Sequence, residues 1–194
     1  MGSSMHAWAS GRRPRAWLAG LLLAAAAGAA EPGLFRITQA DTRLADGVFL
    51  LSARIDYRLS PEALEALDSG VPLFVVLDIR VERQRRWWWN STVARLQQRY
   101  LLLYHALSEK YVVHSLNSGA QANYRSLAEA LAALGRIEDL PLMDSNLLES
   151  GADYRVRMRA YLDIEALPAP LQPLAYLSPG WRLQSEWRQW SLRP

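Results

Sequence analysis

The segment YRVRMRAYLDI, residues 154–164, alternates apolar and polar side chains with a period of two. Its apolar members are Tyr154, Val156, Met158, Ala160, Leu162 and Ile164. The residues between them are Arg155, Arg157, Arg159, Tyr161 and Asp163. Because successive side chains of a strand point to opposite faces, this pattern predicts a strand with one face in the core and one in water.

The segment Val48–Leu59 has the same alternation, with Phe49, Leu51, Ala53, Ile55 and Tyr57 on one face. The pair Asp46-Gly47 before it is typical of a tight hairpin turn. We therefore expect Leu34–Ala40 to form a first strand that precedes this hairpin.

Three further segments predict strands. Val71–Gln84 and Val93–Leu107 are expected to form a long hairpin, and Tyr111–Leu116 either continues its second strand or forms a separate one. A loop with several prolines follows residue 164, and Trp181–Leu192 is predicted as the last strand.

Two short helices are predicted between the strands. Ser60-Pro61 is typical of a helix start, and Gly70 ends this helix. Ser126–Leu134 is the second helix and ends at Gly135.

These elements predict a mainly β chain that folds as an antiparallel β-sandwich of about seven to eight strands, with two short helices in connections. Each half of the chain also contains strands, a short helix that ends at glycine, and another strand. Two small tandem α+β domains are therefore the alternative.

The N-terminal residues 1–30 predict a signal peptide. Arg12, Arg13 and Arg15 precede the apolar run Leu18–Ala27, and the small residues Gly28-Ala29-Ala30 follow. We expect cleavage between Gly28 and Pro32, a single β-rich domain over 31–194 and a periplasmic location. The alternative is an uncleaved segment that anchors the chain to the inner membrane.

The charge of the chain changes when this segment is removed. The full chain has 22 Lys+Arg and 19 Asp+Glu; without the three signal-segment arginines it has 19 of each. A neutral domain argues against nucleic acid as a partner. The absence of cysteine excludes disulfides and thiolate chemistry.

The sequence contains none of the common catalytic or nucleotide-binding motifs. His105 and His114 have no carboxylate at a ligand spacing, and Asp139 and Asp144 are expected to be solvated loop acids. We therefore predict a protein that is not an enzyme, with no catalytic residues, no cofactor and no metal.

The segment Arg85-Arg86-Trp87-Trp88-Trp89 is a candidate contact surface. Three consecutive indoles of a strand cannot all enter one core, so at least one is expected to touch a neighbouring loop, a partner or a membrane surface. The alternative is that the tryptophans cap the end of the sandwich.

The arginine row Arg155, Arg157 and Arg159 is the second candidate surface. Like charges at every second position repel one another unless acids oppose them on the adjacent strand, where Asp56, Asp78 or Glu82 are available. The row is therefore either a solvated face with cross-strand ion pairs or a site for an anionic envelope ligand.

Several segments are similar to a known family: Leu34–Tyr57, SPEALEALDSGVPL, RRWWW, Leu140-Pro141-Leu142 and LPAPLQPLAYLSPGWRLQSEWRQWSL. Together they resemble the domain of unknown function 4390 family of exported proteobacterial proteins, from about Leu34 to Leu192. The resemblance implies an envelope protein and a link to envelope signalling, and it assigns no functional residues.

The function that we expect is non-enzymatic binding or scaffolding of another envelope protein. One alternative is a peripheral membrane-surface protein that uses its Trp and Arg side chains. The other is a hydrolase that the motif patterns do not identify.

Overall fold

A computed structural model describes residues 34–84, 91–149 and 151–192. Over these ranges it contains nine strands and three α-helices, numbered here in chain order. The strands are β1 (Leu34–Ala45), β2 (Val48–Arg58), β3 (Leu73–Arg83), β4 (Ser91–His105), β5 (Lys110–Ser115), β6 (Gln121–Tyr124), β7 (Arg136–Asp144), β8 (Tyr154–Leu162) and β9 (Arg188–Leu192). The helices are α1 (Pro61–Asp68), α2 (Leu127–Leu134) and α3 (Gln172–Leu177).

The strands form two antiparallel sheets. The small sheet has the order β1-β2-β7, and the large sheet has the order β6-β5-β4-β3-β8-β9. Strands from the two halves of the chain pair with each other, since β7 pairs with β2 and β8 pairs with β3. This interleaving confirms the predicted β-sandwich and excludes two tandem α+β domains.

The β1–β2 hairpin turns at the predicted dipeptide. Asp46 and Gly47 both have positive φ, 49° and 80°. Two consecutive positive φ angles match the right-handed twist of the flanking strands, and this is why Asp-Gly is favoured there. The first strand continues to this turn and is five residues longer than predicted, ending at Ala45 instead of Ala40.

The core lies between the two sheets and combines side chains from both. The small sheet contributes the predicted apolar face of β2, where Leu51 has no exposed surface. The large sheet contributes alternate residues of β3 and β8, and Val156, Met158 and Ala160 are fully buried. The predicted inward faces of β2 and β8 are therefore confirmed as far as Leu162.

Both predicted helices are confirmed, and each begins with a serine cap. The Ser60 and Ser126 hydroxyls accept hydrogen bonds from the backbone N–H groups of Ala63 and Glu129, each at 3.2 Å. At the end of α2, Gly135 lies against β2: a Cβ atom there would be 2.0 Å from the Ile55 carbonyl oxygen. Only glycine allows this close approach of helix and strand.

Several predicted boundaries are wrong. Ile164 lies in a 3₁₀ turn beyond the end of β8, and residues 179–181 form another 3₁₀ turn, so the last strand covers only Arg188–Leu192. The alternative that residues 111–116 form a separate strand is confirmed, and this strand, β5, covers Lys110–Ser115. The strands β6 and β7 and the helix α3 were not predicted.

Candidate functional site

The predicted arginine row lies on the outward face of the large sheet. In the register between β3 and β8, Arg159 is opposite Asp78, Arg157 is opposite Arg80, and Arg155 is opposite Glu82. Two of the three expected carboxylates therefore lie on the adjacent strand. Asp56 does not, because it is opposite Arg36 in the other sheet.

Asp78 is the centre of this face. Its side chain has no exposed surface, although it points away from the core between the sheets. It accepts paired hydrogen bonds from Arg80, the shorter at 2.7 Å, and from Arg95 of β4 at 3.0 and 3.2 Å. The Nε of Arg159 lies 3.9 Å from the carboxylate. One buried carboxylate thus lies close to guanidinium groups from its own strand, β3, and from both neighbouring strands, β4 and β8.

The ionised form of Asp78 is favoured by these contacts. Burial by itself would raise the pKa of this carboxyl, but the hydrogen bonds from Arg80 and Arg95 outweigh that effect and lower the pKa below its ordinary value of 3.8. The same contacts raise the pKa of Arg80, mainly through its hydrogen bond to Asp78. Asp78 and Arg80 therefore remain charged at neutral pH.

The other arginines of the row have weaker or neutral partners. The Nη1 of Arg157 donates to Glu82 at 3.3 Å, and the Nη1 of Arg155 donates to the Gln189 side chain at 3.3 Å. The Nε and Nη2 of Arg155 donate to the side-chain oxygen of Gln84, each at 2.6 Å. The Nε atoms of Arg157 and Arg159 are buried, and neither has a hydrogen-bond partner among the residues that the structure describes. Part of the donor capacity of the row is therefore unused.

Trp187 packs against three of these arginines on the outward side of the sheet and leaves them partly exposed. The Cζ atoms of Arg157, Arg159 and Arg80 lie 4.6, 4.8 and 4.9 Å from the centre of its ring. Attraction between the guanidinium charges and the indole face holds both groups in place. Trp187 reaches this position because the chain makes a bulge between the Tyr161–Gln184 bridge and the Met158–Arg188 pair. We call Arg80, Arg95, Arg155, Arg157, Arg159 and Trp187 the arginine face.

The arginine face has an excess of positive charge. Among the described residues, its five arginines surround two carboxylates, Asp78 and Glu82, which leaves an excess of three. The side chain of Arg95 is 51% exposed, and those of Arg157 and Arg159 are each 31% exposed. An external anion therefore has access to guanidinium groups that the protein itself neutralises only in part.

A surface pocket of about 360 Å³ adjoins the Arg159 end of the face. It is lined by Leu34, Arg159, Gln184, Ser185, Glu186 and Trp187. A larger pocket, of about 460 Å³, lies between β1, β2 and α2 and contains none of the residues of the arginine face.

The other candidate residues lie apart from this face or outside the described ranges. Arg85, Arg86, Trp87, Trp88 and Trp89 lie outside the residues that the structure describes. They connect β3 to β4, which pair from Leu73–Leu102 to Arg83–Ser91 and so confirm the predicted long hairpin.

The two histidines and the acids that were predicted in loops lie apart from one another. His105 lies within 3.1 Å of the Ser108 hydroxyl, whereas His114 is paired with Leu101 across the β4–β5 ladder. Asp139 lies in β7 and not in a loop, and it forms an exposed ion pair with Arg43 at 3.0 Å. Over the described ranges, no three His, Cys, Asp or Glu side chains are grouped as metal ligands, and no helix is long and apolar enough to span a bilayer.

Sequence reasoning found the row on β8 but missed Arg80, Arg95 and Trp187. Arg80 and Arg95 join the row only through the pairing of β3 with β4 and β8. The position of Trp187 depends on a bulge that breaks the period-two pattern of its segment. In the sequence, Arg80 is indicated by the alternation of apolar and charged residues in the β3 segment IRVER.

Comparison with known proteins identifies the family. No curated protein and no solved structure matches the chain significantly. The family model described as domain of unknown function (DUF4390) matches residues 34–191, which include every described strand and helix apart from the last residue of β9. The chain therefore belongs to the domain of unknown function 4390 family.

Proposed function

We propose that this protein is an exported, non-enzymatic binding protein of the cell envelope, and that the arginine face holds an anionic envelope component. The observation that carries this proposal is the excess of guanidinium groups around the buried carboxylate of Asp78. Arginine binds carboxylate and phosphate groups with a planar pair of donors, which makes it well suited to such a partner.

Preorganisation supports a binding role for the face. Asp78 holds Arg80 and Arg95 from below, and Trp187 holds Arg157 and Arg159 from above. Ordering a long side chain on binding costs roughly 0.5–1.5 kcal/mol, and this cost is reduced when the side chain is already fixed.

The chemistry of these side chains favours binding over catalysis. Guanidinium groups donate hydrogen bonds and stay protonated, so they hold anions but do not accept protons from a substrate. The face holds its two carboxylates in ion pairs with these arginines. A binding protein therefore fits this arrangement better than a hydrolase.

Export is supported by the order of basic, apolar and small residues in positions 1–30. The mass of protein recovered from the envelope tests this part of the proposal. We expect a mature chain that begins between Gly28 and Pro32. Recovery from the cytoplasm of a chain that retains Met1 would contradict it.

Photo-crosslinking in living cells tests the binding surface. A photoreactive phenylalanine analogue at position 155 places the reactive group on the arginine face, and the same analogue at the exposed position 54 of the small sheet is the matched control. We expect adducts from position 155 that are weakened by Arg159→Gln, and none from position 54. Equal adducts from both positions, or none from either, would contradict the proposed site.

A further inference from the structure

We infer that the ligand of the arginine face is an extended acidic segment of a partner protein, with Asp or Glu at every second position, which lies along β8. This inference rests on the proposed function and specifies its anion. It is carried by the linear arrangement of the row, by the polar residues beside it and by the pocket at its end.

The spacing of the row matches that of an extended polypeptide. Arg155, Arg157 and Arg159 are alternate residues of one strand, so their Cα atoms recur about every 6.6–6.8 Å. Carboxylates at every second position of an extended segment recur at the same distance. An extended segment along β8 therefore brings one carboxylate to the level of each arginine of the row. A compact anion such as a single phosphate contacts only part of the row.

The neighbouring strand β9 offers uncharged hydrogen-bonding groups. Gln189 is opposite Arg157, and Ser191 is opposite Arg155. Both side chains are exposed. Amide and hydroxyl groups pair with the N–H and C=O groups of a polypeptide backbone, which an extended segment presents between its side chains. The arginines and β9 together therefore suit both parts of a peptide ligand.

The pocket beside Arg159 is suited to one larger side chain of the same segment. Its volume of about 360 Å³ is lined by Leu34 and Trp187 together with the polar residues Arg159, Gln184, Ser185 and Glu186, so it suits an amphipathic side chain such as tyrosine. Aromatic and apolar anchors that fill such pockets contribute much of the binding energy at protein interfaces. The pocket lies at the end of the row, so it also fixes the register of the acidic segment.

The described residues favour a peptide over a lipid surface. The large apolar side chains that are exposed in the described ranges lie outside β3 and β8. The ring of Trp187 is stacked on three arginines, and insertion into a bilayer would break those contacts. Among the described residues of β3 and β8, a membrane surface therefore finds charged side chains but no exposed large apolar side chain to insert.

Two peptides of equal length and composition test the inference. In one, glutamates alternate with threonines; in the other, the glutamates are consecutive. Binding to the mature protein is measured by fluorescence anisotropy at low and high salt, with vesicles of phosphatidylglycerol as a third ligand. We expect the alternating peptide to bind about tenfold more tightly than the clustered one, and added salt to weaken its binding.

The matched variants are R155Q/R159Q and R36Q/R54Q. The first removes two guanidinium groups of the row but leaves Arg157 on Glu82 and both Arg80 and Arg95 on Asp78. The second removes the same charge from exposed positions of the small sheet. We expect R155Q/R159Q to lose about tenfold or more in affinity for the alternating peptide, with R36Q/R54Q close to the unmodified protein.

The outcomes separate the inference from the proposed function. Equal binding of both peptides that R155Q/R159Q abolishes overturns the extended-segment inference and leaves the anion-binding face in place. Binding of vesicles without binding of either peptide also overturns the extended-segment inference, and it too leaves the anion-binding face in place. Unchanged peptide binding by R155Q/R159Q, or no binding of any of the three ligands, overturns both.

Discussion

The two faces of β3 and β8 are made by the same strands but held together by different forces. The inward face presents Val156, Met158 and Ala160, all fully buried between the sheets. The outward face presents arginines that surround Asp78, which is equally buried but charged. Apolar contact stabilises the first face, and hydrogen-bonded ion pairs with an aromatic cover stabilise the second.

This contrast shows how a sheet carries a concentrated charge. Arg80 and Arg157 are directly opposite each other, an arrangement that is destabilising when it stands alone. Two carboxylates and one indole ring offset that repulsion. The remaining excess of positive charge gives the outward face an electrostatic attraction for external anions.

A charge on the inward face should have the largest effect. Met158→Asp places a carboxylate in the core without a partner, and we expect a loss of several kcal/mol from a total that is typically about 5–15 kcal/mol. Urea denaturation measures it. Met158→Leu is the matched control and should cost less than about 1.5 kcal/mol. Similar stability of the aspartate and leucine variants would show that this face is not the core.

Removal of the buried carboxylate of the outward face should come next. Asp78→Ala loses charge-assisted hydrogen bonds and leaves Arg80 beside Arg95, so we expect a loss of about 1.5–3 kcal/mol in the free energy of unfolding. Asp78→Asn keeps the shape of the side chain and should lose less. A neutral effect of Asp78→Ala would show that the arginines do not depend on it.

The contribution of Asp78 should also depend on pH. Its pKa is lowered in the folded state, so the folded state binds fewer protons than the unfolded state as acid is added. The stabilisation is fully present above the ordinary pKa of 3.8 and is lost as pH falls through the lower folded-state value. The difference in stability between the unmodified protein and Asp78→Asn should therefore narrow below about pH 4. A difference that widens in acid would contradict this assignment.

Loss of the aromatic cover should have a smaller effect. Trp187→Ala removes the ring that contacts three guanidinium groups, and we expect a loss of about 0.5–2 kcal/mol. Trp187→Phe keeps an aromatic face and should lose less. Thermal denaturation of both variants measures the order, and equal losses would show that an aromatic face at this position does not by itself stabilise the protein.

A single change at the edge of the outward face should have the smallest effect on stability. Among the described residues, Arg155 donates only to the neutral side-chain amides of Gln189 and Gln84, so we expect Arg155→Gln to change the free energy of unfolding by less than about 0.5 kcal/mol. Comparison of its melting temperature with that of Met158→Asp contrasts the two faces of one strand, β8. A loss as large as that of Met158→Asp would mean that the two faces are not distinct.

Local patterns predicted the parts of the fold that local physics controls. The alternation in β2 and β8, the Asp46-Gly47 turn and the serine caps of α1 and α2 each depend on a few neighbouring residues. β7 was missed because Pro141 and two register shifts break its alternation. α3 was missed because Pro173, at its start, lies in a segment whose prolines indicate a loop.

The candidate site was predictable only where it lies on one strand. The row of Arg155, Arg157 and Arg159 follows from the period of β8. Which acids oppose it depends on strand register, so Asp78 and Glu82 could not be separated from Asp56. Arg95 and Trp187 join the site through pairing and a bulge, and neither is visible in local sequence.

The arginine Nε–H resonances of the mature protein, followed by NMR during titration with polyglutamate, show whether the outward face of the large sheet binds anions. We expect shifts for Arg155, Arg157 and Arg159, including the two Nε groups that lack a partner among the described residues, with Arg36 and Arg54 unchanged. Equal shifts on both sheets, or shifts confined to Arg36 and Arg54, would contradict the claim that the outward face of the large sheet is the anion-binding surface.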